Sequence, residues 1–258
     1  MTGGRAAPGW RRLAGFLLLF LLYQSAEGIG GRWLHSFPVQ AGLMLAALLA
    51  AWPVSRWLGY RRLDAYALAL CPGAWTWLLA GLLLAAALKL AAVPLGMQLG
   101  WIAAGSGAPA PSLANLASAL PMLLLSTFVP SLAEDILTRG YPYRAAGLTW
   151  RNGIGFVIAS TALYVLNHLY RLHLGPGEWL LLSSYGLTYA TALWRSGTLW
   201  AAVGLHWGWN LGNGMADVFW PDAQPLAMAP WLSIGAHVLM FALVMTMMPL
   251  RRAIRASA

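Results

Sequence analysis

Three short stretches of this sequence carry chemically capable residues at spacings that put them on common helix faces. Glu134-Asp135-Ile136-Leu137-Thr138-Arg139 holds two acids and a base. Asp135 and Arg139 are four apart, acid first, so on a helix they share a face and pair. Glu134 points about 100° from Asp135 and about 140° from Arg139 on a 3.6-residue turn. Arg139 therefore neutralises Asp135 while Glu134 faces another surface as a candidate general base. Tyr164 and His168 are four apart, as are His206 and Asn210, and each pair lies on one helix face. A Glu and a His can together deprotonate a water, and a His and an Asn can donate hydrogen bonds to a developing oxyanion. Those parts suffice to hydrolyse an amide without a covalent intermediate. The same side chains also read as separate interhelical hydrogen bonds. Glu134, His168 and His206 further supply the two-His, one-carboxylate donors of a zinc site.

The elements that position these residues follow from composition. Of 258 residues, 60% are hydrophobic and 9% charged, against roughly 45–50% and 25% in soluble domains. So apolar a chain is not disordered. Cys71, the single cysteine, excludes an intramolecular disulfide and any cysteine-clustered metal site. The net charge of +9 sits in short clusters between apolar runs, which is a membrane pattern rather than a nucleic-acid one. Apolar segments fall at Leu13–Tyr23, Phe37–Trp57, Trp75–Met97, Leu116–Ile136, Ile154–Tyr170, Trp179–Trp194, Thr198–Leu211 and Leu226–Leu250. The expected fold is all-α, a polytopic helical bundle with about eight transmembrane helices of roughly 20 residues each. It reads as one integral membrane domain over 1–258, with the motif-bearing core at about 113–212.

Sidedness follows from the basic residues. With both termini cytoplasmic, that side holds Arg5, Arg11, Arg12, Arg56, Arg61, Arg62, Arg139, Arg144, Arg151, Arg195, Arg251, Arg252 and Arg255, and the other only Arg32 and Arg171. The expected location is the bacterial inner membrane. Leu13–Tyr23 is also readable as a signal-peptide core ending at Ala26-Glu27-Gly28, but the charge distribution favours a retained helix. Trp57, Trp101, Trp150, Trp179, Trp200, Trp220 and Trp231 lie near helix ends as interfacial anchors. An ionisable side chain within a span costs about 2.5–3.5 kcal/mol on insertion scales, so each needs a reason. Lys89 is expected to snorkel toward the interface, and His237, with Ser233 as its one polar neighbour, to be a neutral structural histidine.

Other intramembrane chemistries lack their residues. There is no His-Glu-x-x-His zinc motif. Trp194-Arg195-Ser196-Gly197 lacks the first glycine of a rhomboid-type Gly-x-Ser-Gly site, and Asp135 has no second membrane aspartate to pair with. The inverted repeats of a small-solute transporter are not visible.

Glu134-Asp135-x-x-x-Arg139-Gly140, Tyr164-x-x-x-His168 and His206-x-x-x-Asn210 resemble, in order, the three motifs of the CPBP family. These are CAAX prenyl endopeptidases of the Ras-converting-enzyme type and bacteriocin-processing or immunity proteins. The resemblance runs from about Pro130 to Asn210, led into the last motif by Gly186-Leu187 through Arg195-Ser196-Gly197-Thr198-Leu199-Trp200. It implies a glutamic endopeptidase without a cofactor, zinc not excluded, acting on a membrane protein or peptide and binding no nucleic acid. It implies that Glu134 activates water with help from His168, that His206 and Asn210 stabilise the oxyanion, and that Arg139 supports the acidic pair. Two positions depart from the family patterns. Asp135 replaces Glu, which shortens its reach to Arg139, and Tyr164 replaces Phe. On the eight-helix topology Glu134 and His168 lie toward opposite membrane faces, so the fourth helix must continue to about Arg144, or tilt, for them to meet. The competing expectation is a non-catalytic immunity or scaffold protein that binds a partner in the same cavity.

Overall fold

The computed structural model describes residues 7–105, 112–148 and 153–248. Among these, the apolar segments become α1 (Gly9–Ser25), α2 (Phe37–Trp57), α3 (Ala74–Gln98), α4 (Leu113–Asp135), α5 (Gly153–Asn167), α6 (Pro176–Ser196), α7 (Leu199–Phe219) and α8 (Pro230–Met247). The fold is all-α. Arg5, Trp150, Arg151, Leu250, Arg251, Arg252 and Arg255, used in the sidedness, anchoring and span readings, lie outside the described residues.

Among the described residues, five helical stretches are long and apolar enough to cross a membrane: Gly9–Trp33, Phe37–Trp57, Ala74–Gln98, Ala114–Ala145 and Pro230–Met247. This is an integral membrane protein. Length and composition do not extend that number to the expected eight. α5 has only 15 residues, and α6 and α7 bury polar side chains such as Thr188, Thr191 and His206.

The sequence sets several helix ends directly. Prolines at the first turns of α2, α6 and α8 give up an N–H that has no helical acceptor anyway. Ser112 Oγ caps α4 by accepting from Asn115 N at 3.2 Å. Gly197 closes α6 in the left-handed conformation, at φ 70°. α7 is the central helix, with Leu199, Ala201, Ala202, Val203 and Leu205 almost fully buried. Its Gly204, Gly208 and Gly212 form a small-residue ridge against α3. A Cβ on Gly204 or Gly208 would strike the backbone of Leu78 or Leu82, and one on Gly212 would lie 2.8 Å from Lys89 Cβ. That close approach is how helices pack where lipid removes the hydrophobic drive for association.

Two helices do not stop where α-geometry ends. α1 continues as a π-helix over Ala26–Trp33, and α4 as one over Ile136–Ala145. The continuation of α4 past Arg139 meets the geometric condition set by the sequence. Pro142 lies within it and lacks an N–H. The Thr138 carbonyl nearby instead accepts from Ser160 Oγ of α5 at 2.8 Å. A two-residue antiparallel bridge, Ile102–Ala103 with Gln224–Pro225, ties the segment after α3 to the one after α7.

Candidate active site

Glu134 and Asp135 end α4, where the α-helix gives way to the π-helix, a feature frequent at functional sites. The two acids have different surroundings. Asp135 and Arg139 are fully buried and form the expected i, i+4 ion pair through Oδ1 and Nη1. Thr138 Oγ1 accepts from the same Nη1 at 3.1 Å. The guanidinium lies between two aromatic faces, 4.4 Å from the Tyr164 ring centroid and 5.0 Å from that of Tyr189. Tyr164 thus supports the arginine by a cation–π contact. Asp135 has a second partner that its spacing to Arg139 does not reveal. His206 Nδ1 lies 3.2 Å from Asp135 Oδ1. A carboxylate only accepts, so Nδ1–H donates and Nε2 is the nitrogen left for other work.

Glu134 has no arginine partner. Asn167 Nδ2 donates to its Oε1 at 3.0 Å, while His168 Nδ1 and His206 Nε2 approach Oε1 and Oε2, each at 3.6 Å. His168 does not sit within α5, as its spacing from Tyr164 predicts. It follows the last helical residue, with ψ at 50°, and opens a 3₁₀ segment over Leu169–Leu174. Its ring still stays 4.6 Å from that of Tyr164. His168 Nδ1 is 2.8 Å from the Tyr164 carbonyl. The carbonyl only accepts, so Nδ1–H donates and Nε2 carries the lone pair. Asn210 Nδ2 donates to Ser131 Oγ at 3.0 Å, which orients the amide and leaves its second N–H free. All four residues expected to do chemistry line one cavity of about 350 Å³. Among the described residues, no three His, Cys, Asp or Glu side chains converge in a metal-binding arrangement.

Several cavity residues escape the sequence reading. Asn167 holds Glu134 and is itself held by Gln24, whose Nε2 donates to the Asn167 carbonyl at 2.8 Å and to Oδ1 at 2.9 Å. Tyr23, Glu27 and Arg32 also line the cavity, so the first apolar segment forms one of its walls. The signal was present in Gln24, an uncharged polar side chain at the end of an apolar run. Lys89 departs from expectation. Its ammonium stands 5.3 Å over the Trp209 ring, and the residue lines the cavity, which the snorkelling expectation does not include. His237 is structural as expected: Nδ1–H donates to Ser233 O, and Nε2 accepts from the Tyr189 hydroxyl, both at 2.8 Å.

Residues 116–212 match the family described as type II CAAX prenyl endopeptidase Rce1-like. That segment, a little over a third of the chain, is similar to the family. Its bounds take in α4, α5, α6 and the motif-bearing part of α7, hence Glu134, His168, His206 and Asn210. Among curated proteins none matches the chain. The part of the chain that carries the candidate site is thus similar to membrane proteases of the CAAX type.

Proposed function

We propose that the protein hydrolyses a peptide bond of a membrane-associated or lipid-linked protein or peptide, using a water activated by Glu134. The observation that carries this reading is the pairing of Asp135, not Glu134, with Arg139. One acid is neutralised in place, and its neighbour faces the cavity with a neutral donor, Asn167, on one oxygen.

Glu134 takes a proton from the water, which His168 beside it helps to orient, and the resulting hydroxide attacks the scissile carbonyl carbon. Negative charge then gathers on the carbonyl oxygen. The free N–H of Asn210 and Nε2–H of His206 donate to that oxygen, each preset by a hydrogen bond on its far side. When both nitrogens of His206 donate, Asp135 supplies the counter-charge. Collapse of the intermediate breaks the C–N bond, and the proton held by Glu134 passes to the leaving amine. No covalent enzyme intermediate forms. The domain spans 1–258 with both ends cytoplasmic in this reading, and the substrate is neither nucleic acid nor a small solute.

The test uses the purified full chain in bilayer discs and a quenched-fluorescent, S-farnesylated peptide with a CAAX-type end. General base removal costs about 10²–10⁴-fold, so Glu134→Gln lowers the cleavage rate by that factor with folding intact. Cleavage at an undiminished rate in Glu134→Gln sinks the mechanism.

A further inference from the structure

Lys89 is a cation that the proposed reaction does not use. It projects from α3 opposite Gly212, and among the described residues it forms no ion pair. Asp217, an acid whose field reaches it, is exposed near the end of α7. Lys89 is half-buried, its ammonium has an aromatic face beneath it but no ion-paired counter-charge among the described residues, and it lines the cavity that holds Glu134. It also lines a second cavity of about 200 Å³, whose other walls include Val93, Ile102, Leu181 and Leu232. This cavity is mostly apolar and is smaller than the roughly 300–1,000 Å³ of pockets that enclose a whole small molecule. It suits one apolar side chain.

The spacing along α7 relates Lys89 to the chemistry. Trp209, under the ammonium, is three residues beyond His206, and Gly212, against the lysine stem, is six beyond. At 1.5 Å per residue these lie about 4.5 and 9 Å further along the axis. An extended peptide covers about 3.3–3.6 Å per residue, so about one to three residues bridge the gap.

We propose that Lys89 anchors a carboxylate of the substrate one to three residues beyond the scissile bond, while the side chain beside that carboxylate fills the second cavity. The register rests on the endopeptidase reading of Glu134; the binding test below does not. A charge-assisted hydrogen bond in such a site is worth well over a neutral one, so the free carboxylate dominates recognition of this end of the substrate.

The experiment uses the full chain carrying Glu134→Gln, in discs of zwitterionic lipid, so that bound peptide is not consumed. The probes are a fluorescent S-farnesyl peptide ending Cys-Val-Ile-Leu with a free carboxylate, and its C-terminal amide. The acid is expected to bind at least about tenfold more tightly than the amide, a difference of about 1.4 kcal/mol. Adding Lys89→Met brings the acid down to the level of the amide and leaves the amide unchanged, whereas Lys89→Arg keeps the preference. Replacing the terminal Leu of the peptide by Gly weakens binding by the same factor with and without Lys89→Met, because the cavity contact is separate from the charge. Equal affinity for acid and amide, no binding of either, or a preference that survives Lys89→Met overturns the proposal. So does a lipid phosphate as occupant, seen as stabilisation by anionic lipid that Lys89→Met removes without any acid–amide difference. If Lys89→Met fails to fold, Lys89→Gln takes its place and must likewise bring the acid down to the level of the amide, since Arg32 and Arg171 line the same cavity. Acid-selective binding without Glu134-dependent cleavage keeps the anchor and rejects the protease reading; cleavage without acid preference does the reverse.

Discussion

Arg139→Ala is the perturbation with the largest expected effect on stability. Both partners of the Asp135–Arg139 pair have no exposed side-chain surface. Removing one member of such a pair leaves the other as an uncompensated buried charge, at about 3–5 kcal/mol. The tyrosine rings that sandwich the guanidinium lose their cation as well, which keeps the loss from falling below that range. For a chain of this size each kcal/mol moves the melting temperature by about 2–4 °C, so the expected drop is about 6–20 °C. Asp135→Asn with Arg139→Gln removes both charges and should recover more than half of it. Activity should not return with stability, because His206 has lost its counter-charge at Asp135. The assay is thermal unfolding of the detergent-purified proteins, read as the monodisperse fraction after heating, beside the cleavage rate. A single variant as stable as wild type, or a double variant as unstable as the single one, refutes the reasoning. If Arg139→Ala folds while Glu134→Gln does not, the structural and catalytic acids have been assigned the wrong way round.

Three further outcomes are expected. Asn167→Leu removes the donor on Glu134 Oε1 and should lower kcat by about 10–100-fold with little change in KM, since misplacing a catalytic group by about 1 Å costs that much; steady-state kinetics on a well-folded variant decide it. Gly208→Val forces a side chain into the Leu82 backbone and should cost at least about 1–3 kcal/mol, whereas Gly42→Ala meets nothing within 4 Å and should be neutral or stabilising; melting temperatures of the pair test the packing of α3 on α7. Cleavage should survive chelators, and purified protein should hold no stoichiometric metal; activity lost to a chelator and restored by zinc would make Glu134, His168 and His206 ligands instead.

Much of the helical layout, and the four residues that come to line one cavity, can be read from the sequence, because apolar runs and i, i+4 spacing report helix existence and helix faces directly. What periodicity does not report is where the helical register changes. The π-helices after Ser25 and Asp135 shift every later side chain relative to a 3.6-residue wheel. That is why spacing alone does not place Glu27 and Arg32 at the cavity; Glu134 and His168 fall on opposite sides in the sequence reading because it ends the fourth helix at Ile136, whereas helical structure runs on to Ala145. Gly212, Asn213 and Gly214 resemble a turn, which leads the sequence reading to stop α7 at Leu211. The glycines are instead required by contact with Lys89 and Leu123, and the helix runs to Phe219. The inward turn of Lys89 has the same origin, since only the packing of α3 on α7 brings its stem to Gly212.

The adjacent acids show how one turn of helix can hold two carboxylates for different tasks. Asp135 meets a cation on its own helix and a histidine N–H from α7, so its charge is spent on holding Arg139 and orienting His206. Glu134, rotated about 100° away, meets an uncharged amide and histidine nitrogens at 3.6 Å, beyond hydrogen-bonding distance. A carboxylate so placed is held in position by the amide while facing the open cavity. The shorter side chain at position 135 fits this division. An aspartate reaches Arg139 and His206 while staying within its own turn, and the longer glutamate at 134 extends into the cavity. Exchanging the two, as Glu134→Asp with Asp135→Glu, keeps charge and composition. It should nevertheless cost activity by at least the 10²-fold of a roughly 1 Å misplacement, with the melting temperature lowered by the crowded pair at position 135. Cleavage by the exchanged variant at the wild-type rate would mean that the order of the two acids carries no information, and the separation of their roles would fall.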